Sequence, residues 1–398
     1  MSYTISNKMK DMKGSAIREI FKNAGDPSFI SLAGGNPAPE TFPNKELAEI
    51  AADLLTNNPV AALQYGVTEG IPELRSAVRA RLGKKHHIGT ANDDLIIVSG
   101  GQQGVELMTK VLINEGDTVI VEEPSFIGAL NAFRSYGAHL AGVPVWNHGM
   151  DITELEATIK RNKNVRFIYT IPNSQNPAGI TMSVGKRRAI FEIAKKYGLL
   201  IIEDDPYGEI SFEDEYVPPI KSFDTDGDTV IYCGSFSKIL APGLRIGFCM
   251  GPSELIAKAV IAKQVADVHT PCLTQLLALE YMRRYDMDAN IAKSRELYAH
   301  KCNYMLDCIK KYFPKSVTHT TPSGGLFIWC DIGKGYDAKD LAAMCAERKV
   351  VFVPGSTFMV DMDAPCSGFR LNYSTMSDEK IEAGIKVIGE CLYELLGK

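Results

Sequence analysis

A lysine set among small residues is the first candidate for chemistry. Gly234-Ser235-Phe236-Ser237-Lys238 follows directly on the apolar run 229–233. An amine at the end of a strand, partly withdrawn from water, has its charged form disfavoured and becomes a nucleophile. A surface loop would also tolerate a lysine, so its companions must decide. Leu200-Ile201-Ile202-Glu203-Asp204-Asp205-Pro206-Tyr207 is a second apolar run that ends in acids and a tyrosine. Adjacent carboxylates can face solvent or hold a metal, but the closest histidines, His148 and His269, lie far along the chain, so no metal site is expected. Asn173-Ser174-Gln175-Asn176-Pro177 follows the run 166–171. Ser99-Gly100-Gly101-Gln102-Gln103-Gly104 follows the run 94–98 and opens a helical pattern. A glycine turn at a helix start presents free N–H groups and the positive end of the helix dipole, which suits phosphate. In Phe369-Arg370-Leu371-Asn372-Tyr373 an arginine interrupts an apolar strand. Buried there, it needs a carboxylate, from a ligand or from the chain itself.

These residues need elements to hold them. Short apolar runs at 94–99, 117–121, 166–171, 199–203, 229–233 and 246–250 alternate with helical stretches at 102–113, 126–136 and 183–197. Gly198 stands where a left-handed helix cap is expected. That alternation predicts an α/β domain around a mainly parallel sheet, whose strands deliver ligands at their carboxyl ends. Farther on, a long helix over 291–313 precedes strands near Val317 and at 326–330, 350–353 and 368–373, with a helix at 338–348. The last helix carries Ile381, Ile385, Ile388, Leu392 and Leu395 on one apolar face. This end reads as a smaller α+β domain. The expected organisation is an N-terminal arm over 1–43, with no sheet of its own, a large domain over 44–290 and a small domain over 291–398.

With 398 residues the chain is long enough for two or three domains. Hydrophobic residues at 45% and charged residues at 23% exclude wholesale disorder. A net charge of −5 gives no electrostatic reason to expect nucleic acid or an anionic membrane. Neither a membrane span nor a signal core is visible, which predicts a cytoplasmic protein. The nine cysteines are scattered with no CxxC pair, as in a chain of reduced thiols.

Glycine turn, Asn-Pro, Asp-x-x-Tyr, Ser-x-Ser-Lys, arginine and Phe-Arg-Leu, in that order, resemble the pyridoxal-phosphate (PLP) aminotransferases of fold type I, class I/II. Three further segments, Ser15-Ala16-Ile17-Arg18-Glu19, Leu32-Ala33-Gly34-Gly35-Asn36-Pro37 and Tyr169-Thr170-Ile171-Pro172-Asn173, make the chain most similar to the 2-aminoadipate and kynurenine aminotransferase branch. A related branch adds a winged-helix DNA reader, which the short stretch before the first motif here does not accommodate.

That resemblance implies a fold, a cofactor and a set of roles. The fold is a large domain with a mainly parallel seven-stranded sheet plus a smaller α+β domain. Lys238 holds PLP as a Schiff base and moves the proton between substrate Cα and cofactor. Asp204, three residues before Tyr207, faces the ring nitrogen and keeps it protonated. Tyr207 and Asn176 hydrogen-bond the ring oxygen. Gly101, Gln102, Ser235 and Arg245 hold the phosphate, and Phe126 stacks on the ring. Arg370 pairs with the substrate α-carboxylate, Gly35 lets the backbone approach it, and Arg18 reads a side-chain carboxylate. Tyr65 reaches the phosphate of the neighbouring subunit, so the partners are a second copy of the chain, an amino acid and a 2-oxo acid, 2-oxoglutarate being the expected acceptor. Phe126 and Gly101 depart from the usual tyrosine and serine or threonine, each removing a hydroxyl. A PLP β-lyase shares these motifs. A silent PLP-binding regulator would be expected to lack Lys238, Asp204 or Arg370, and a nicotinamide enzyme needs a GxGxxG that residues 100–104 do not spell.

Overall fold

The computed structural model describes residues 3–10, 26, 28–213 and 217–397. At its centre lies an eight-stranded sheet in the order Asp93–Val98, Gly247–Pro252, Val230–Ser235, Leu200–Asp205, Val165–Thr170, Thr118–Glu123, His139–Trp146, Gly149–Met150. Gly247–Pro252 runs antiparallel to both neighbours, while the five strands from Val230–Ser235 to His139–Trp146 pair in parallel. Helices Gly101–Leu112, Ile127–Ser135, Ile152–Arg161, Val184–Tyr197 and Ser253–Ala266 pack on it. Strands covered on both faces are apolar at nearly every position rather than alternating, and Leu95, Ile96, Ile97 and Val98 are all buried.

The sheet has one strand more than the seven expected. Its eighth member is the two-residue Gly149–Met150, which folds back antiparallel on Val145 and Trp146. A piece this short has no periodicity to read. The apolar run 350–353 is likewise not one strand. It divides at Phe352 into Val350–Val351 and Val353–Pro354, which join different sheets. Val350–Val351 pairs in parallel with Ile30–Ser31, so the arm does contribute strand, borrowed onto another segment.

The second layer of structure is a four-stranded sheet, Thr318–His319, Phe327–Asp331, Gly368–Asn372 and Val353–Pro354, packed with the helices Met287–Tyr312, Ala338–Glu347 and Asp378–Leu395. Ser377 caps the last helix by accepting a bond from the Lys380 N–H, and Ile381, Ile385, Ile388 and Leu392 are buried along one face as predicted. Gly198 ends Val184–Tyr197 with φ of 63°. The fold is therefore α/β with a smaller α+β part. Among the described residues no helix is long and apolar enough to cross a membrane.

Candidate active site

Parallel strands end on one edge of the large sheet, and the turns that leave them surround a cleft of about 290 Å³. Asp204 comes from the end of Leu200–Asp205, Ser235 closes Val230–Ser235, Lys238 lies in the turn after it, and Asn176 comes from the loop after Val165–Thr170. Phe126 follows Thr118–Glu123, while Gly101 and Gln102 open the helix after Asp93–Val98. Because Gly247–Pro252 runs the other way, Arg245 reaches the same edge from its amino end. Gly35 and Arg370 close the cleft from the arm and the smaller sheet.

Lys238 is partly buried and its Nζ donates to the Gly35 carbonyl at 2.5 Å. Burial lowers its ammonium to about 8, and the Arg370 and Arg245 charges push the same way. Asp204 is buried, and its Oδ2 accepts from the Tyr169 hydroxyl at 2.7 Å. Burial raises its carboxyl to about 7 against that hydrogen bond, with the charge of Asp205 adding to the rise. Asp205 points the other way along the strand, where Oδ2 accepts from Tyr232 at 2.9 Å and Oδ1 from the Gly208 N–H at 2.8 Å. It lines no part of this cleft.

One corner of the cleft joins a glycine turn to an arginine. Gly100 has φ of 85° and caps the helix Gly101–Leu112, whose first N–H groups have no partners within the helix. A Cβ on Gly100 would collide with the Arg245 guanidinium, which donates to the Ser99 carbonyl at 3.1 Å, so only glycine leaves room for that cation. Ser235 Oγ lies 2.9 Å from Ser237 Oγ. Gln102 donates to the Gly128 carbonyl at 2.9 Å. Gly128 has no space for a Cβ between Gln102 and the Phe126 ring.

Arg370 is buried. Its Nη1 donates to Asn176 Oδ1 and its Nη2 to the Ala33 carbonyl, both at 2.7 Å. The guanidinium carbon lies 4.1 Å from the centre of the Phe327 ring and 4.8 Å from that of Phe358. Burial lowers its ionisation to about 10, Nε is unpartnered, and no described carboxylate forms an ion pair with it. Tyr207 packs edge-on to Phe327 at 6.1 Å, and burial holds its phenol well above the usual range, against the pull of the Arg370 charge. The side chains facing this space thus include three cations, Lys238, Arg245 and Arg370, and one carboxylate, Asp204.

Every residue expected at the site lines this cleft except two. Tyr65 is 83% exposed, edge-on to His269 at 5.8 Å, and away from the cleft of its own chain. Arg18 lies outside the described residues. Sequence reasoning missed Tyr169, Phe327 and Phe358. Tyr169 was hidden in a strand that reads as core, and the two phenylalanines come from distant segments.

The cleft fits PLP on these observations: a buried carboxylate without a cation, a glycine cradle beside an arginine, and a buried guanidinium with an orphaned nitrogen. The chain matches the family model described as aminotransferase class I and II over residues 27–388. It is 39% identical over 397 residues to aromatic-amino-acid aminotransferase 1 of Thermococcus litoralis, spanning 99% of this chain and 95% of that protein. Kynurenine aminotransferase of Pyrococcus horikoshii, solved in complex with PMP, superposes with a TM-score of 0.94 at 37% identity, over 98% of this chain and 97% of that one. Alpha-aminoadipate aminotransferase of Thermus thermophilus, complexed with N-(5'-phosphopyridoxyl)-L-leucine, gives 0.91 at 36%, over 99% and 98%.

Proposed function

Because the chain belongs to the class I and II aminotransferases, and so is a PLP-dependent enzyme that moves amino groups through Schiff-base chemistry, we propose a role for each residue of its cleft. PLP, when bound, supplies an aldehyde that condenses with amines and a protonated ring that withdraws electrons from the substrate. Lys238 is the amine that holds the cofactor and, once displaced by the amino donor, carries the proton to and from substrate Cα. Its lowered ionisation leaves a useful fraction of free amine near neutral pH. Asp204 faces the ring nitrogen and keeps its proton in place, while Tyr169 orients the carboxylate. Tyr207, held as the neutral phenol, donates to the ring oxygen together with Asn176.

The N–H groups of Gly101 and Gln102, with Ser235 and Arg245, bind the phosphate. Phe126 covers the ring. Arg370 takes the α-carboxylate of amino acid and 2-oxo acid alike, with Gly35 beside it. The excess of cations over carboxylates in the cleft carries this reading, since cofactor and both substrates are anions.

The acceptor is 2-oxoglutarate, and Arg18 reads the side-chain carboxylate of acidic donors. The leucine adduct of an α-aminoadipate aminotransferase supports a pocket that takes acidic and apolar side chains in turn. The working unit is a homodimer with shared sites, Tyr65 reaching the partner's phosphate. Exposed Val60, Leu63, Tyr65, Val265 and Val268, on two segments joined by the Tyr65–His269 contact, support a face covered by a second copy. The division into arm 1–43, large domain 44–290 and small domain 291–398 is supported by the separation of the eight-stranded sheet from the four-stranded one. Nine scattered free thiols support a cytoplasmic setting.

A panel of amino donors with 2-oxoglutarate tests this. Glutamate should form from 2-aminoadipate and from leucine or an aromatic donor. Arg18→Ala should raise KM for 2-aminoadipate about 10- to 150-fold and spare leucine, the scale of one charged hydrogen bond. No glutamate from any donor, while another 2-oxo acid is aminated, would refute the acceptor. Equal losses for both donor classes would assign Arg18 to folding of the arm.

A further inference from the structure

We propose that Glu122 and Gln175 are positioning residues for the reaction, together fixing the two loops that present Phe126 and Asn176 to the cleft. The proposal rests on the roles assigned above to Asn176, Phe126 and Arg370. Neither Glu122 nor Gln175 lines the cleft, so any influence passes through what they hold.

Glu122 sits near the end of Thr118–Glu123, buried directly after the apolar run Val119, Ile120 and Val121. A residue needed only for packing there would be apolar, because burying an acid is unfavourable unless its oxygens are bonded. Here they are. Oε1 accepts from the Thr170 hydroxyl at 2.7 Å. Oε2 accepts from the Ile171 N–H and from Gln175 Nε2, both at 3.1 Å. Three donors converge on two oxygens, an arrangement that suits a carboxylate and not an amide. Burial still raises the carboxyl to about 7 against those donors.

Gln175 extends the clamp. The same Nε2 donates to the Pro124 carbonyl at 2.8 Å, two residues before Phe126. Its Oε1 accepts from the Ala178 N–H at 2.8 Å, closing the turn that contains Asn176. One amide therefore spans both loops, and one buried acid anchors that amide to two strands. Asn176 in turn receives Arg370 Nη1 at 2.7 Å. A shift of the 173–178 loop moves the acceptor that aims Arg370 and the donor meant for the ring oxygen.

The test uses the PLP-loaded enzyme and the variants Gln175→Leu, Glu122→Gln, Thr170→Val and Arg370→Lys. For each, KM and kcat for the amino donor, the pH midpoint of the visible cofactor absorbance and the melting temperature are measured. Gln175→Leu should raise KM about tenfold with a smaller change in kcat, and should move the absorbance midpoint. Glu122→Gln should act in the same direction. Thr170→Val, which removes one of three donors and keeps the side-chain shape, should raise KM about two- to threefold. A fall in melting temperature with KM and midpoint unmoved would make the pair merely structural and overturn the proposal. If Glu122→Gln fails to fold, unmoved values in Gln175→Leu and Thr170→Val overturn it equally. Arg370→Lys separates a failure of the cleft roles from a failure of the clamp. An unmoved KM there defeats the reading of the cleft itself. A raised KM there, with the clamp variants unmoved, defeats only the clamp.

Discussion

Asp204 and Asp205 are neighbours of one chemistry, and only one of them is expected to serve catalysis. They occupy successive positions of one strand and so face opposite sides. Asp205 has both oxygens bonded to the protein, to Tyr232 and Gly208. Asp204 has Tyr169 on Oδ2 and turns its Oδ1 toward the glycine turn, 3.9 Å from where a Gly101 Cβ would stand. Asp204→Asn keeps the shape and removes the charge. Removing one partner of a buried, hydrogen-bonded ion pair costs about 3–5 kcal/mol, which is roughly 150- to 5,000-fold in kcat/KM. Asp205→Asn leaves one accepting oxygen and turns an NH₂ toward a donor. That should cost about 1–3 kcal/mol of stability while kcat/KM falls less than about tenfold. Initial rates of glutamate formation at saturating PLP, beside thermal unfolding of each variant, read both effects. Equal losses of kcat/KM, or a larger loss in Asp205→Asn, would refute the assignment.

Two further outcomes follow. Without cofactor, the folded chain holds fewer protons on Lys238 than the unfolded chain between about pH 8 and 10.5, so the unfolding free energy of the wild type should gain on that of Lys238→Met as pH rises through that window, by on the order of 2–3 kcal/mol. Denaturant melts at pH 7, 9 and 10.5 check this, and a difference that stays constant would contradict the lowered ionisation. Mixing inactive Tyr65→Ala and Lys238→Ala subunits should restore about a quarter of wild-type activity, because random dimers include hybrids with one intact site. No recovery after verified subunit exchange would remove Tyr65 from the partner's site.

Much of the cleft was legible because its chemistry sits where apolar runs stop. Lys238, Asp204 and Asn176 each follow a strand that reads as buried, and the glycine turn at 99–101 opens a helix. Residues inside the strands were silent. Tyr169 looks like a core position until its partner is known, and Glu122 looks like the first of two acids closing an apolar run, a signal that points to it only once its burial is seen. Phe327 and Phe358 reach Arg370 only through the fold. The helix Pro72–His86 is faint in the sequence: it buries only Leu74, Val78 and Leu82, and charged residues dominate the rest. Edge pieces such as Gly149–Met150 and Ile30–Ser31 are set by their pairing partners, which no local pattern reveals.

Every role given to the cleft depends on Lys238 carrying the cofactor. Reducing the PLP-loaded enzyme with borohydride makes that linkage permanent, and peptide mass spectrometry then reports the lysine that bears it. A single pyridoxyl adduct is expected on Lys238, absent in Lys238→Ala. An adduct on another lysine at full occupancy, with Lys238 unmodified, would contradict it.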